Sequence, residues 1–258
     1  MDGSQPSILP TELDDLIGTA AAPIIVDLRS DADLAAIDRL IPGAIHRSGN
    51  DVERWWRELP SGRSLVVYDL QGSPESERAA EQLNRYGTYV GYLLGGFIAW
   101  YDRALPTRKN VVSASKWVTR ERPKIDRIAC PWLIHRFIDP LAEFLYVPAG
   151  QVRAVAEQTG AIPYDVNGVE YTHEGNQCSF DKIVKVHEIN ISALNRLATI
   201  VRGADTARHD LAPECDGLVA ISRGLSENFP DDHEMLAHGM VLYDALFSWC
   251  RKQTASNV

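Results

Sequence analysis

The sequence predicts an α/β domain with a parallel sheet, followed by a mainly α-helical domain that contains a small β-hairpin. Three observations lead to this fold class. In the first part of the chain, short apolar runs alternate with amphipathic stretches, as they do when helices cover both faces of a parallel sheet. Residues 107–115 are mostly polar or small, which is typical of a linker. Beyond them most apolar residues recur at helical spacing, and one Asn-Gly pair predicts the hairpin.

The composition sets limits on the class of protein. A chain of 258 residues with 45% hydrophobic and 24% charged residues is typical of a globular protein with two ordinary domains. Its apolar runs are far shorter than the roughly 20 residues of a membrane span, and the first residues lack the pattern of a secretory signal. We therefore expect a cytoplasmic protein with no membrane partner. The net charge of −9 argues against binding nucleic acid through bulk electrostatics.

The first domain begins with a short helix over residues 11–17, for which Thr11 is the predicted N-cap. The apolar run at 24–29 ends in charged residues, as a buried parallel strand does. The same patterns predict the remaining elements in order, which are a strand entered through a turn at 42–45, a strand at 65–68, a helix at about 75–86, a strand at 89–94 and a helix entered at 95–100.

Four sequence segments of this domain occur in an informative order: IIVDLR, IPGAI, the loop after LVVY, and YLLGGFIAW. In this order they resemble a rhodanese-homology domain, covering residues 8–108. The resemblance implies a catalytic cysteine at the start of the loop after the central strand, where backbone amides hold a persulfide. Asp69 occupies that position. Because a carboxylate cannot accept sulfane sulfur, we predict that the protein is not a sulfurtransferase.

Two interpretations of Asp69 follow. In the first, the loop is degenerate and the domain is kept for folding, docking or dimerisation, which would allow a homodimer. In the second, the carboxylate is a resident anion that fills the amide nest of the loop and keeps external anions out.

The second domain starts with a basic segment, since residues 116–127 contain five basic and two acidic residues. This segment is either a solvated surface or a local anion site, because guanidinium groups match oxyanions. Pro131 suits the first turn of a helix that buries Trp132, Leu133 and Phe137. On that assignment Asp126 lies just outside the helix and next to the core.

The next elements are predicted by apolar spacing and turn residues, and they are a strand at 144–147, a helix at 151–159 that ends at Gly160, a hairpin over 162–172 with its turn at 167–168, a helix at 191–201 and a helix at 218–225.

The last helix begins at the sequence Pro230-Asp231-Asp232, because carboxylates satisfy free backbone donors at a helix start. Its apolar stripe consists of Leu236, Met240, Tyr243, Phe247 and Cys250. Continued backwards, this stripe reaches His233, so we expect that imidazole on the buried side of the helix. His238 is about 140° away around the helix and should face elsewhere.

Several segments of residues 116–252 together resemble the C-terminal domain of the chromate-resistance ChrB family. They are RPKIDRIACPWLIHRFIDP, AEFLYVP, HEGNQCSFD, IVRGADT and NFPDDHEMLAHGMVLYDALFSWC. The resemblance implies a role in bacterial resistance to chromate, or in sensing it. Some members are regulators with a separate DNA-binding N-terminal region, whereas this chain has a rhodanese-like domain there, so nucleic acid is not an expected partner.

The candidate site residues lie inside these segments, next to apolar stripes or at element ends where side chains converge. Imidazoles combined with carboxylates suit a Mn or Fe centre, or alternatively Zn. We predict such a divalent metal with His173, His233 and Asp205 as ligands, and Asp126, Arg127 and Asp232 as catalytic residues.

Each assignment has an alternative. His173 could be an ordinary loop histidine, and His233 a core histidine satisfied by a neighbour. Cys178, five residues after His173, could share the metal, although a buried thiol is the expected role. We assign surface or packing roles to His135, His187, His209 and His238.

Three functions remain open from sequence. The first is a metal-dependent enzyme or redox protein of the chromate-stress response, in which residues 120–127 attract a small anionic substrate, with chromate as the candidate. The second is a non-catalytic sensor whose pocket binds an oxyanion or a metal, with the rhodanese-like domain as an adaptor. The third is a metalloenzyme recruited to an unrelated small metabolite.

Overall fold

The computed structural model describes residues 6–111 and 115–255, and no helix in these ranges is long and apolar enough to cross a membrane. The described chain divides into two units. The first comprises residues up to 110 together with 136–140, and the second comprises residues 111–135 and 141 onwards.

A five-stranded sheet in the order β1-β6-β5-β2-β4 forms the centre of the first unit, and all its strand pairs are parallel. A small antiparallel pair, β3 with β7, lies apart from it. The elements are β1 (Ser7–Ile8), α1 (Pro10–Leu16), β2 (Ile24–Asp27), α2 (Asp31–Ala36), β3 (Arg39–Leu40), β4 (Ala44–His46), α3 (Val52–Trp55), β5 (Leu65–Tyr68), α4 (Pro74–Arg85), β6 (Val90–Leu93), α5 (Gly96–Tyr101) and β7 (Arg108–Lys109).

The predicted parallel α/β arrangement is confirmed, and local sequence explains it. Every residue of β2 and β5 is buried, because central parallel strands are covered on both faces. Helix α4 starts at Ser73, whose hydroxyl accepts a hydrogen bond from the Glu75 backbone, and Pro74 occupies the first helical position. One stripe of α4 is buried, consisting of Ser76, Ala79, Ala80 and Leu83.

The second unit is mainly helical, with a parallel three-stranded sheet in the order β10-β8-β9. Its elements are β8 (Lys116–Arg120), α6 (Asp126–Phe137), β9 (Glu143–Val147), α7 (Val152–Thr159), β10 (Ile162–Pro163), α8 (Ser179–Val186), α9 (Ser192–Asp205), α10 (Cys215–Asn228) and α11 (Asp232–Ala255). Strand β8 and helix α8 were not predicted. The hairpin expected over residues 162–172 is a loop closed by one bridge between Tyr164 and Tyr171, preceded by the short strand β10.

The core of this unit lies between α6 and α11. Trp132 of α6 is fully buried, and its ring packs against Tyr243 and Phe247 of α11, at centroid distances of 6.1 and 5.4 Å. Its indole N–H donates a hydrogen bond to Asp244 over 2.8 Å, so the buried nitrogen is satisfied. These contacts hold α6, which begins at Asp126, against α11.

The expected boundary of α6 was wrong. Asp126 is the first residue of the helix, and Pro131 lies inside it rather than in its first turn. A proline has no backbone N–H, so the carbonyl four residues earlier loses its helical partner. That carbonyl belongs to Arg127, and it accepts a hydrogen bond from the Tyr146 hydroxyl at 3.4 Å instead. A tertiary contact therefore makes an internal proline acceptable here.

The start of α11 is as predicted, but the orientation expected for His233 was wrong. Asp231 caps the helix by accepting a hydrogen bond from the Glu234 backbone. The buried face includes Met235 and Gly239 but not His233, whose side chain is exposed. Gly239 sets this orientation, because a Cβ atom there would overlap the side chain of Ile128 in α6. A pattern of apolar residues does not predict this contact, because glycine has no apolar side chain to mark the buried face.

Candidate metal centre

Asp126 is the buried anchor of the site, and its side chain is fully excluded from solvent. The preceding residue, Ile125, has a φ of +37°, an unusual value for a β-branched residue. Its carbonyl accepts a hydrogen bond from the Tyr243 hydroxyl at 3.2 Å, which holds the turn in place. Strained backbone of this kind is concentrated at functional sites. It places a carboxylate at the N-terminal end of α6, inside the core.

One oxygen of Asp126 closes the start of α8. Its Oδ2 accepts a hydrogen bond from the backbone N–H of Ser179 at 2.6 Å. The same helix start is held by Asp181, which accepts hydrogen bonds from the N–H and thiol of Cys178 and forms an ion pair with Arg202 of α9. Helices α6, α8 and α9 of the second unit therefore meet at this point.

His173 is supplied by the loop that precedes α8. Two backbone hydrogen bonds between Glu174 and Gln177 close a tight turn just after it. The Glu174 carboxylate also pairs with Lys182 and Lys185 of α8, at 3.3 and 2.9 Å. The loop is thus tied to α8, although the His173 side chain stays 41% exposed.

Three acidic side chains surround the imidazole. Nε2 of His173 lies 3.1 Å from Asp205 Oδ2, 3.4 Å from Asp165 Oδ1 and 3.6 Å from Asp126 Oδ2. Asp205 is the last residue of α9. Among the described residues, Asp126, His173 and Asp205 each bring one candidate ligand atom within 4.8 Å of the other two. We call these three residues the triad.

Asp165 is the most strongly paired of the acidic residues. Its carboxylate accepts a hydrogen bond from the Ser179 hydroxyl and pairs with Arg120 at 3.0 Å and Arg127 at 3.4 Å. Burial raises the pKa of Asp165, but the contact with His173, the Ser179 hydrogen bond and the two arginines outweigh it and lower the pKa overall. Asp165 is therefore a fixed anion that supports His173 and orients two arginines.

The triad has the opposite electrostatic balance, because its carboxylates lack such partners. Burial and the charges of Asp126 and Asp165 raise the pKa of Asp205 to about 7. Burial also raises the pKa of Asp126. Contacts with the Asp126 and Asp165 carboxylates raise the pKa of His173 to about 10. When all three groups of the triad are ionised, its two carboxylates and one imidazolium leave one net negative charge, which is compatible with a bound cation.

The donor set fits a divalent metal. Oδ1 of Asp126 is buried and has no hydrogen-bond partner among the described residues, although a buried carboxylate oxygen normally has one. Two ligands of one ion, each at about 2.1 Å, lie no more than about 4.2 Å apart. The distances from His173 Nε2 to Asp126 and Asp205 already fall in that range. The triad could hold an ion after small side-chain movements.

His233 and Asp232 were predicted for the site but are not members of the triad. The His233 ring stacks edge-on against Tyr146, with a centroid distance of 5.5 Å. Asp232 accepts a hydrogen bond from the backbone N–H of Arg122 at 3.1 Å. Arg122 in turn donates to the carbonyls of Phe229 and Pro230, so this contact closes the loop before α6 onto the start of α11.

Arg127 adjoins the triad through Asp165. Its guanidinium also donates to the Glu121 carbonyl at 3.1 Å. Arg127 is therefore a structural residue whose charge is paired with the Asp165 carboxylate. Cys178 is buried, and burial raises the pKa of its thiol well above the ordinary value, so a thiolate ligand is disfavoured.

Asp165 and Ser179 are site residues that sequence analysis missed. Asp165 has a φ of +51° in the loop that follows β10, and only its tertiary neighbours reveal its role. One local signal existed, because aspartate is among the few residues that adopt this left-handed conformation readily.

The loop after β5 in the first unit contains a second carboxylate in an unusual setting. Asp69 Oδ1 accepts hydrogen bonds from the backbone N–H groups of Gln71, Gly72 and Ser73, and Oδ2 accepts one from the Ser73 hydroxyl. The loop packs closely on Gly96, where a Cβ atom would overlap the Asp69 carbonyl and the Gly72 nitrogen. This geometry corresponds to the second interpretation of Asp69, an anion that fills the amide nest.

These features define a class of protein in which an α/β domain with a filled anion nest is joined to a helical domain with a His–Asp triad. The first domain matches the rhodanese-like domain family over residues 9–103, and the second matches the family described as ChrB, C-terminal domain, over residues 117–250. The chain belongs to the ChrB family. It is 32% identical over 186 residues to Protein ChrB of Cupriavidus metallidurans, an alignment that spans 70% of this chain and 55% of that protein.

Solved structures similar to the first unit include a rhodanese-related protein from Thermoplasma volcanium, 22% identical, which covers 40% of this chain and 96% of its own with a TM-score of 0.35. A rhodanese-like domain protein from Staphylococcus aureus is 23% identical and covers 37% of this chain and 91% of its own, with a TM-score of 0.34.

Proposed function

We propose that the C-terminal domain is a divalent-metal centre in which Asp126, His173 and Asp205 bind the ion. The observation that carries the proposal is that Asp126, a member of the triad, is fully buried and its Oδ1 has no hydrogen-bond partner in the described part of the chain. A buried carboxylate oxygen without a donor is costly, and a cation removes that cost.

The donor types favour Mn or Fe, with Zn as the alternative. Two carboxylates and one imidazole form an oxygen-rich set, which suits harder ions than a set of thiolates does. Three protein ligands leave coordination positions open, as in catalytic rather than structural metal sites. The half-exposed His173 makes one side of the triad accessible, so a small molecule could reach the ion.

Family membership supports a role for this centre in chromate resistance. The ion would supply Lewis-acid or redox chemistry, while the chain's own residues bind it and fix its surroundings. Asp165 holds His173 in place, and Ser179 orients both Asp126 and Asp165 through its backbone N–H and its hydroxyl. Whether the centre acts as an enzyme or as a sensor depends on what binds beside the ion.

The alternative of a simple oxyanion site made by residues 120–127 has less support. Arg122 is occupied by three backbone carbonyls and Arg127 by Asp165 and backbone carbonyls. Arginines committed in this way have few donors left for a free anion.

We infer that the first domain does not transfer sulfur, because Asp69 provides no thiolate and its carboxylate fills the loop that would hold a persulfide. An adaptor or docking role is consistent with such a domain.

The test is elemental analysis of full-length protein purified without chelator, joined to metal titration of the stripped protein. The account expects close to one equivalent of Mn, Fe or Zn per chain, and loss of that metal in Asp126→Asn. Asp210→Asn, which removes the same charge from an exposed site, should keep the metal. Wild-type protein that stays metal-free after titration with all three ions would contradict the proposal.

A further inference from the structure

An open cleft adjoins the triad within the second unit. It has a volume of about 600 Å³ and shares three residues with the site, namely Arg120, Asp165 and His173. The exposed side of His173 therefore faces a cleft that a ligand can enter, and a molecule bound there would lie next to the metal.

The charges of the cleft favour an anion. Arg120 and Arg153 line it, and the chain enters helix α7 along its wall at Ala149 and Gly150. The N-terminal end of a helix carries a partial positive charge, which adds to that of the arginines. Arg120 directs one nitrogen at Asp165, and its Nε is buried without a hydrogen-bond partner. The Arg120 side chain as a whole is 42% exposed, so the accessible part of its guanidinium can donate to an incoming oxyanion.

The size and walls of the cleft favour an organic molecule over an inorganic oxyanion. Four oxygen atoms occupy at most about four water volumes, on the order of 120 Å³, which is a small part of the available space. Clefts that bind small organic ligands measure roughly 300–1,000 Å³. Val166 supplies an apolar part of the wall, and it packs against the cluster that contains the buried Val152.

We propose that this cleft binds a small organic oxyanion, whose charged group contacts Arg120 and Arg153 and whose remainder extends along Val166 toward His173. Its position beside a metal rests on the proposed function, whereas its recognition by the two arginines does not. The ligand class follows from the pairing of guanidinium donors with an apolar wall. Chromate and sulfate satisfy only the first of these.

The experiment is calorimetric titration of full-length protein with four probes in millimolar range, which are glycerol 3-phosphate, succinate, inorganic sulfate and glycerol. At least one of the two organic anions should bind about tenfold or more tightly than sulfate, and glycerol should not bind. The comparison of glycerol 3-phosphate with succinate tells a phosphate from a carboxylate ligand. Two results would overturn the inference. One is sulfate that binds as tightly as both organic anions, and the other is that neither organic anion binds.

Arg153→Gln is the diagnostic variant, because within the described ranges the hydrogen bonds of Arg153 go to the carbonyls of Asn167 and Gly168 and not to the triad. It should weaken the organic anion about tenfold while the metal affinity stays unchanged. Arg208→Gln, at an exposed ion pair with Asp210, is the charge-matched control and should change neither. Unchanged anion affinity in Arg153→Gln would overturn the inference.

The two proposals fail in different ways. Normal metal uptake without anion binding would contradict the cleft ligand and leave the metal centre intact. Anion binding that depends on Arg153 in a chain that takes up no metal would contradict the metal centre alone.

Discussion

Asp126 shows how one side chain can serve the fold and the site together. One of its oxygens caps α8, and the other has no partner in the described residues. A residue with only a structural role would normally use both. The unused Oδ1, together with an Oδ2 that lies 3.6 Å from the His173 imidazole, separates this aspartate from an ordinary helix cap.

His173 gives the metal-free protein a pH dependence. Its folded-state pKa of about 10 exceeds the ordinary value of 6.5, so its protonation stabilises the folded state fully below pH 6.5, and this contribution disappears as the pH rises through 10. In chelator-treated protein, the melting temperature of wild type relative to His173→Gln should be higher at pH 6 than at pH 9. A melting-temperature difference between wild type and His173→Gln that stays constant from pH 6 to pH 9 would contradict the assignment.

Asp69 should be important for stability although it performs no chemistry. Replacing it with alanine leaves three backbone donors and one hydroxyl without their acceptor, which costs about 1–3 kcal/mol. Chemical denaturation of Asp69→Ala measures this cost, and Asp102→Ala, at an exposed site of the same unit, is the control. Equal free energies of unfolding for the two variants would show that the Asp69 carboxylate does not stabilise the loop.

At the scale of elements, the close contact between α6 and α11 depends on Gly239. Gly239→Ala should destabilise the protein by about 1–3 kcal/mol, because the new methyl group meets Ile128 in a packed core. Gly224→Ala is the matched control, since that helical glycine has open space around its Cβ position. There the change should stabilise by about 0.5–1 kcal/mol. Denaturation curves of both variants check the opposite signs.

The sequence predicted the parallel sheet and most helices because their signals are local. Ser73 and Pro74 mark the start of α4, and Gly160 ends α7 in the left-handed conformation. The errors have a common origin in tertiary contacts. In α6, Tyr146 satisfies the carbonyl freed by Pro131, so the proline lies inside the helix and not in its first turn. In α11, Ile128 fills the space over Gly239, so the buried face differs from the one that the apolar spacing predicts.

The same distinction applies to the site. His173, Asp126 and Asp205 could be proposed from residue type and element ends, and the structure brings them together. Asp165 was missed because its contacts with His173, Arg120 and Arg127 join residues far apart in the chain. His233 was included because the apolar stripe of α11 was drawn through Met240 instead of Gly239.

At the scale of the whole molecule, the two units should be functionally separable. Asp69 belongs to the first and the triad to the second. Asp69→Cys restores a thiol in the loop. Pro74 has no backbone N–H, so the loop still has one amide donor fewer for a persulfide, and full persulfide transfer is not expected. We expect wild type to give no signal in a persulfide-transfer assay, and Asp69→Cys to retain the wild-type metal content. Sulfur transfer by wild type would contradict the assignment of the first domain.

The most direct test of the metal centre is anomalous X-ray diffraction from crystals of the full chain loaded with Mn²⁺ or Fe²⁺. The account predicts an anomalous peak about 2.1 Å from Nε2 of His173 and from one carboxylate oxygen each of Asp126 and Asp205. A well-ordered triad with no peak, or a peak bound elsewhere in the chain, for example at His233, would contradict it.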